Sequence, residues 1–394
     1  MIKLRDKLMI ERLSKQTILR LAQQFPVVAV TGPRQSGKST LVQETFPNKR
    51  YITFDDKAVR DLAASNPRDF IRAFKDGVII DEAQKVPEIF DALKLIVDSE
   101  EYDPGKFILT GSSQFNLKNK IKESLSGRIG IVNLLPLSIT ELSQSGILGD
   151  DAYDYAFNGF YTPLYDNKKH YDREDWFENY IDTYIERDVA DEIRVSNLSQ
   201  FKKFIQFCAI YSGQMLNMES ISREIGVSAN TIKSWLSILE NSFIIHLLEP
   251  DTNNLGRSIV KTPKLYFVDV GLLCYLLRIE SKEELLLSRY KGAIVETMAV
   301  AELLKSRFNK GRKADLTYFR DTNGFEVDVI ADWHKTYALE VKSDVGTEKK
   351  QSANVRKYIE LRDTDIKGCV YYLGDITCDI NNIKYVSWKE WGEN

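Results

Sequence analysis

The sequence predicts an α/β protein whose first part is a doubly wound parallel sheet, and three observations predict it. Val27-Val-Ala-Val30, Val78-Ile-Ile80 and Phe107-Ile-Leu109 are near-continuous apolar runs, as a sheet covered on both faces demands. Helical segments such as Val86-Pro-Glu-Ile-Phe-Asp-Ala-Leu-Lys-Leu-Ile-Val97 separate them, so the strands run parallel through crossovers. Each run also leads into polar residues at its carboxyl end, the side on which open α/β sheets bind ligands.

The first strand runs into Gly32-Pro-Arg-Gln-Ser-Gly-Lys-Ser39. Two glycines bracket four residues, then a lysine and a hydroxyl follow: the spacing in which backbone N–H groups wrap phosphate oxygens at a helix N-terminus. Gly32, Pro33, Arg34, Gln35, Ser36, Gly37, Lys38, Ser39 and Thr40 are therefore the candidate nucleotide-binding residues. Lys38 is expected to reach the β and γ phosphates of ATP and Ser39 to ligate Mg²⁺. The helix beginning at Thr40 turns its positive dipole end toward the anion.

After a short strand at Arg50-Tyr-Ile-Thr-Phe54, the run Val78-Ile-Ile80 ends in Asp81 and Glu82. Asp81 suits coordination of Mg²⁺, and Glu82 suits activation of an attacking water. A base for water is wanted in hydrolysis and wasted in transfer to a bound acceptor, which argues against a small-molecule kinase. The next strand ends in Thr110-Gly-Ser-Ser113, and Ser112, with Thr110 as its rival, is the candidate polar sensor between the acids and the γ-phosphate. A plain hydroxyl-capped turn is the bland alternative. Arg128 and Arg187 are candidates for a cation that neutralises transition-state charge, unless they are ordinary surface arginines.

At 394 residues the chain predicts two or three domains of roughly 100 to 200 residues each. Its 43% hydrophobic and 28% charged residues describe a folded chain and argue against extensive disorder. No apolar run approaches ~18 residues and the N-terminus lacks an apolar targeting core, so no membrane partner and a cytoplasmic location are expected. Cys208, Cys274, Cys369 and Cys378 lack metal-ligand spacing, which argues against zinc and disulfides. A net charge of -3 offers nucleic acid no global attraction, so any such binding needs a local basic surface.

From about Ser143 to Asp175 the pattern dissolves into Gly, Asp, Asn and Tyr, a connector or irregular lid. Two helices joined by Gly226-Val-Ser228 then follow in Met218–Leu239, with Ile221, Ile225, Val227, Ile232, Trp235 and Leu236 placed where they must pack. Ser228 is the expected cap of the second helix, whose Asn230, Thr231 and Lys233 are candidates to face a major groove of DNA. Residues 200–264 hold seven Lys plus Arg against five Asp plus Glu, so a mere packing module is a real rival.

Glu296 lies in the first half of the amphipathic helix predicted at Gly292–Leu304. Asp315–Arg320, Phe325–Ala331 and Thr336–Lys342 are expected to form an antiparallel meander carrying Asp328, Glu340 and Lys342. Two carboxylates hold Mg²⁺ or Mn²⁺ in such a site, and the lysine polarises the attacking water. Four surface charges at strand ends are the alternative.

The phosphate loop, Ile79-Ile-Asp-Glu-Ala-Gln84, Leu109-Thr-Gly-Ser-Ser113, Leu125-Ser-Gly-Arg128, Leu135-Pro-Leu-Ser138, Tyr184-Ile-Glu-Arg-Asp188 and Pro263-Lys-Leu-Tyr-Phe-Val-Asp-Val-Gly271 together resemble the AAA-type prokaryotic ATPases that carry a DUF4143 C-terminal region. The resemblance covers nearly the whole chain. Gly159-Phe-Tyr-Thr-Pro163 departs from it, where a tighter Gly-Gly-Tyr-Pro turn is expected. The resemblance implies an ATP-hydrolysing P-loop core, a helix-turn-helix middle, a nuclease-like end, and a ring or other homo-oligomer with an arginine supplied by a neighbour. The last segment looks like the PD-(D/E)XK nuclease core, with Glu296 matching its helical acid, Asp328 and Glu340 its metal ligands and Lys342 its lysine.

The expected organisation is a P-loop ATPase core at 1–145, a lid or connector at 146–200, an α-helical winged helix-turn-helix module at 201–285 and a small α/β nuclease-like domain at 286–394. The expected function is ATP hydrolysis that controls a DNA-directed C-terminal module, a metal-dependent nuclease. The alternative is a non-cleaving nucleotide switch or scaffold.

Overall fold

The computed structural model describes residues 10–99, 103–111, 124–166, 169–185, 198–252, 260–362 and 365–393. Its first sheet contains β1 (Val27–Thr31), β2 (Arg50–Thr53), β3 (Val78–Asp81), β4 (Phe107–Gly111) and β5 (Ile129–Asn133), in the order β2-β3-β4-β1-β5. Every neighbouring pair is parallel. Alternate residues of β1 enter different cores. Val27 and Ala29 pack with Ile80, Leu109 and Phe90, while Val28 and Val30 pack with Ile18, Leu41 and Ile108. Both faces are therefore dry, which is why the strands read as continuous apolar runs. Because β4 lies between β1 and β3, its carboxyl end separates the phosphate loop from Asp81.

The middle segment runs helix Leu198–Ile210, β6 (Gln214–Met215), helices Met218–Ile225 and Ala229–Asn241, β7 (Ile245–Leu248) and β8 (Lys264–Phe267). The three strands form an antiparallel sheet in the order β6-β8-β7. The Ser228 hydroxyl accepts the Thr231 N–H at 3.1 Å, which starts the second helix of the pair. Trp235 on that helix packs against Phe201 and Phe204 with ring centroids 5.2 and 5.3 Å apart.

The last segment opens with the long helix Lys291–Asn309. Its sheet contains β9 (Leu316–Arg320), β10 (Glu326–Asp332), β11 (Thr336–Lys342), β12 (Ile366–Tyr372), β13 (Cys378–Ile380) and β14 (Ile383–Ser387), ordered β13-β14-β12-β11-β10-β9. β9, β10 and β11 form the expected antiparallel meander. The meander is, however, only half of a mixed sheet: β12 joins β11 in parallel through a crossover containing helix Ala353–Leu361, and β14 joins β12 in parallel. One hydrophobic cluster runs from Leu135 to Trp391, so the segments after the first sheet share a core across the expected boundaries at 146, 201 and 286.

Among the described residues, no helix is long and apolar enough to cross a membrane. Cys208, Cys274, Cys369 and Cys378 are free thiols, the first three buried.

Candidate functional site

The phosphate loop connects β1 to the helix Lys38–Thr45. At Gly32 a Cβ would lie 2.0 Å from the Leu134 carbonyl oxygen, and Gly37 adopts a φ of 87°, so neither position accepts an ordinary side chain. Lys38 is 6% exposed, and its ammonium donates to the carbonyls of Gly32 and Pro33 at 3.0 and 2.7 Å. Burial pulls its pKa down to about 8, with Glu82 and Asp81 opposing that fall.

Asp81 organises the opposite wall. Its Oδ1 accepts the Ser39 hydroxyl at 2.9 Å and its Oδ2 accepts the Tyr51 hydroxyl at 2.6 Å. Thr110 at the end of β4 also donates its hydroxyl to Asp81 Oδ1. Burial, then the bond to Asp81, push the Tyr51 phenol up, so it remains a donor throughout the physiological range. Glu82 follows with φ 54° and ψ 42°, a left-handed conformation that costs a non-glycine residue about 1–3 kcal/mol. Gln84 Nε2 donates to Glu82 Oε2 at 2.5 Å.

Of the two hydroxyl candidates, Thr110 bonds the acid wall, and Ser112 lies outside the described residues. Arg187 also lies outside them. Arg128 sits at the start of β5, where its carbonyl accepts the Val27 N–H. The phosphate loop follows the other end of β1, about 17 Å away at ~3.3 Å per strand residue. Arg128 forms a bidentate pair with Asp98 on that far edge and reaches no phosphate held by its own chain. A cavity of about 420 Å³ adjoins the loop, lined by Arg12, Gln35, Gly37, Thr40, Thr162 and Tyr171 among others.

The C-terminal acids also come together. Asp328 lies at a register shift between β10 and β9, and its Oδ2 accepts the Val341 N–H at 2.8 Å. Lys342 Nζ meets Glu340 Oε1 at 2.7 Å, as strand alternation requires, while Glu340 Oε2 is buried without a hydrogen-bond partner. Burial, with Glu296 and Glu340 adding to it, drives the Asp328 carboxyl well above the usual range.

Sequence reasoning missed a further member, Lys264. This lysine heads β8, is 3% exposed, and places its ammonium 3.1 Å from Glu296 Oε1 and in contact with Glu326. The Tyr266 hydroxyl donates to the same Glu296 oxygen at 2.5 Å. Burial alone would lower the Lys264 pKa, but Glu296, Asp328 and Glu326 raise it, so the amine is a fixed cation. The described residues contain no group of three or more His, Cys, Asp or Glu arranged to hold a metal ion. The acids converge with two lysines beside them: Lys264 pairs with Glu296 and Glu326, and Lys342 with Glu340. In the sequence Lys264 shows as a lysine at the start of an apolar strand, within the marker Pro263–Gly271.

The helix pair in the middle segment leaves Asn230 and Lys233 exposed and Thr231 half-buried. After Gly159, the Phe160 N–H donates to buried Asp269 at 2.7 Å, and Asp269 also caps the helix Val270–Leu276.

Comparison with known families matches residues 24–143 to an AAA domain, residues 149–283 to a domain of unknown function (DUF8612) and residues 291–391 to a domain of unknown function (DUF4143). Uncharacterized proteins of Mycobacterium bovis and Mycobacterium tuberculosis are each 29% identical over 344 residues, covering 85% of this chain and 74% of theirs. An uncharacterized protein of Methanocaldococcus jannaschii is 21% identical, covering 93% of this chain and 83% of its own length. Among solved structures, a Walker-type ATPase of Pyrococcus abyssi is similar at 15% identity and a TM-score of 0.47, covering 70% of this chain and 99% of its own.

Proposed function

Since the chain is an AAA-type protein with a DUF4143 C-terminal region, we propose that it binds and hydrolyses ATP and that the hydrolysis cycle controls a nucleic-acid-directed C-terminal module. The observation that carries the first part is the 2.9 Å bond between Ser39 and Asp81, which joins the phosphate loop to the acid strand. Ser39 and Asp81 would hold Mg²⁺, which supplies charge neutralisation at the β and γ phosphates. Lys38, whose ammonium donates to loop carbonyls, would hold the phosphate oxygens. Glu82 orients the attacking water and takes its proton, and Thr110 fixes the Asp81 carboxylate. The 420 Å³ cavity beside Gly37 and Thr40 gives the nucleoside a place to lie. Release of phosphate from MgATP by the wild type, abolished in Lys38→Ala, tests this reading.

The middle segment supports a DNA-directed role through its element order of helix, strand, two helices and two strands, the order of a winged helix-turn-helix. Lys233 and Asn230 are then the groove-facing side chains. A homo-oligomer that supplies an arginine to its neighbour suits a site whose own Arg128 faces away.

For the C-terminal acids, the position of Lys264 favours the second reading, a module that binds without cutting. Its ammonium supplies the positive charge that Glu296 and Glu326 require. Incubating the wild type and Glu340→Ala with labelled duplex, single-stranded and branched DNA, with ATP and Mn²⁺, separates the two. Intact substrate throughout is expected here, whereas cleavage lost in Glu340→Ala restores the nuclease reading.

A further inference from the structure

The N-terminal arm places one side chain against the phosphate loop, at the edge of the cavity beside Gly37 and Thr40. Arg12 is 7% exposed, and each of its three guanidinium nitrogens has a partner. Nη1 donates to the Ser36 carbonyl at 2.6 Å, Nη2 to the Leu135 carbonyl at 2.7 Å and Nε to Glu141 Oε1 at 3.0 Å. Glu141 is wholly buried, and its two oxygens also accept the N–H groups of Leu13 and Ser138, each at 2.9 Å. The guanidinium is thus held by a carboxylate that is itself held by backbone.

A trans peptide points its carbonyl and its N–H in opposite directions. The Ser36 carbonyl belongs to the peptide whose N–H is that of Gly37, so a grip on Ser36 O fixes the direction of the Gly37 N–H, which points away from Arg12. That peptide needs a grip: Gln35 has φ 58° and Gly37 has φ 87°, and a glycine offers little steric resistance to rotation of the peptide beside it. The Leu135 carbonyl ties the same guanidinium to the exit of β5, which pairs with β1 immediately before the loop.

We propose that Arg12 is a positioning residue of the nucleotide site, which holds the Ser36–Gly37 peptide in the orientation that presents its N–H to a nucleoside triphosphate. The inference rests on the ATPase reading above. An N–H so aimed contacts phosphate equally in the ground state and the transition state, so its loss raises KM and leaves kcat nearly untouched.

The test measures MgATP hydrolysis and MgATP binding by calorimetry for the wild type, Arg12→Lys, Glu141→Gln and Lys38→Ala, with nucleotide-free melting of each. Lysine keeps the charge beside Glu141 but cannot span Ser36, Leu135 and Glu141 together. Arg12→Lys is expected to raise KM and Kd for ATP about tenfold, the scale of one lost charge-assisted hydrogen bond. Its kcat stays within about threefold of the wild type, whatever its nucleotide-free melting loses to the buried hydrogen bonds that lysine cannot replace. Glu141→Gln, which loosens the guanidinium without removing it, shifts KM in the same direction by less. A lowered melting temperature with an unchanged KM in both variants marks a purely structural role and overturns the inference. A wild type that binds and hydrolyses ATP beside an Arg12→Lys of equal KM overturns the inference alone, whereas a wild type that does neither overturns the ATPase reading itself.

Discussion

The main-chain N–H of Ile139 donates to Glu302 Oε2 at 2.9 Å across 163 residues of chain. Ile139 opens the helix that follows the first sheet, and Glu302 lies on the long helix that also carries Glu296. The same short helix carries Glu141, the partner of Arg12 beneath the phosphate loop. The two acidic regions of the molecule are thus joined through buried polar contacts in addition to packed side chains.

Glu302 is 1% exposed and bonds Lys305 at 2.7 Å, and burial pushes its carboxyl up while Lys305 opposes that shift. Glu302→Ala leaves a buried ammonium and an uncapped N–H, so we expect a loss of about 3–5 kcal/mol in urea denaturation. Combining it with Lys305→Met is expected to recover much of that loss. A single variant within about 1 kcal/mol of the wild type would remove this junction from the account.

ATP affinity carries a pH signature of Lys38. The amine titrates near pH 8 because it is buried, against 10.5 when exposed. Below about 8 it is charged and ready for phosphate; above 8 the free protein must recharge it, and affinity falls. Lys38→Arg keeps its charge and is expected to lose this pH dependence in calorimetric titrations between pH 7 and about 9.5. Folding responds oppositely. Between 8 and 10.5 the unfolded chain holds more protons on this group, so its contribution raises stability with pH across that window.

Thr110→Val removes a hydroxyl bonded to Asp81 while keeping the shape of the side chain. We expect kcat to fall about tenfold, the scale of one hydrogen bond, with a small change in KM. Unchanged steady-state rates would leave the sensor role to a residue other than Thr110.

Lys264→Met leaves Glu296, Glu326, Asp328 and Glu340 with less countercharge in a buried place. A fall of about 3–5 kcal/mol in stability is expected. Added Mn²⁺ should recover part of it in thermal melts if the acids can gather around a replacement cation. An equally large stabilisation of the wild type by Mn²⁺ would contradict the assignment of Lys264 as the resident countercharge.

Lys233→Glu is expected to weaken duplex DNA binding and to reduce its salt slope, measured by fluorescence anisotropy at several salt concentrations. Equal binding by wild type and variant would make this helix pair a packing module.

What the sequence revealed is what lies close together along it. The phosphate loop is eight consecutive residues, and Asp81 and Glu82 end an unmistakably apolar run, so ligand, strand and helix were all legible. Residue type put Ser112 ahead of Thr110, and the bond of Thr110 to Asp81 was not legible because it depends on the placement of β4 between β1 and β3. Arg128 looked equally suitable until the parallel register with β1 placed it at the far edge of the sheet. Lys264 precedes Glu296 by 32 residues and lies on a different sheet from Glu326, Asp328 and Glu340, and Arg12 precedes Glu141 by 129. No local spacing records such meetings. The mixed C-terminal sheet was half legible for the same reason: its meander is local, whereas the parallel β11–β12 pairing depends on a crossover.

The central claim is that Glu82 activates water at a site assembled by Lys38, Ser39 and Asp81. The most direct measurement is phosphate release from MgATP by the wild type and Glu82→Gln, with ATP binding measured on both. Glu82→Gln is expected to bind ATP as tightly as the wild type and to lose at least about 100-fold in turnover, the scale of general base catalysis. Turnover by Glu82→Gln at the wild-type rate, or a wild type that binds ATP without releasing phosphate, would contradict it.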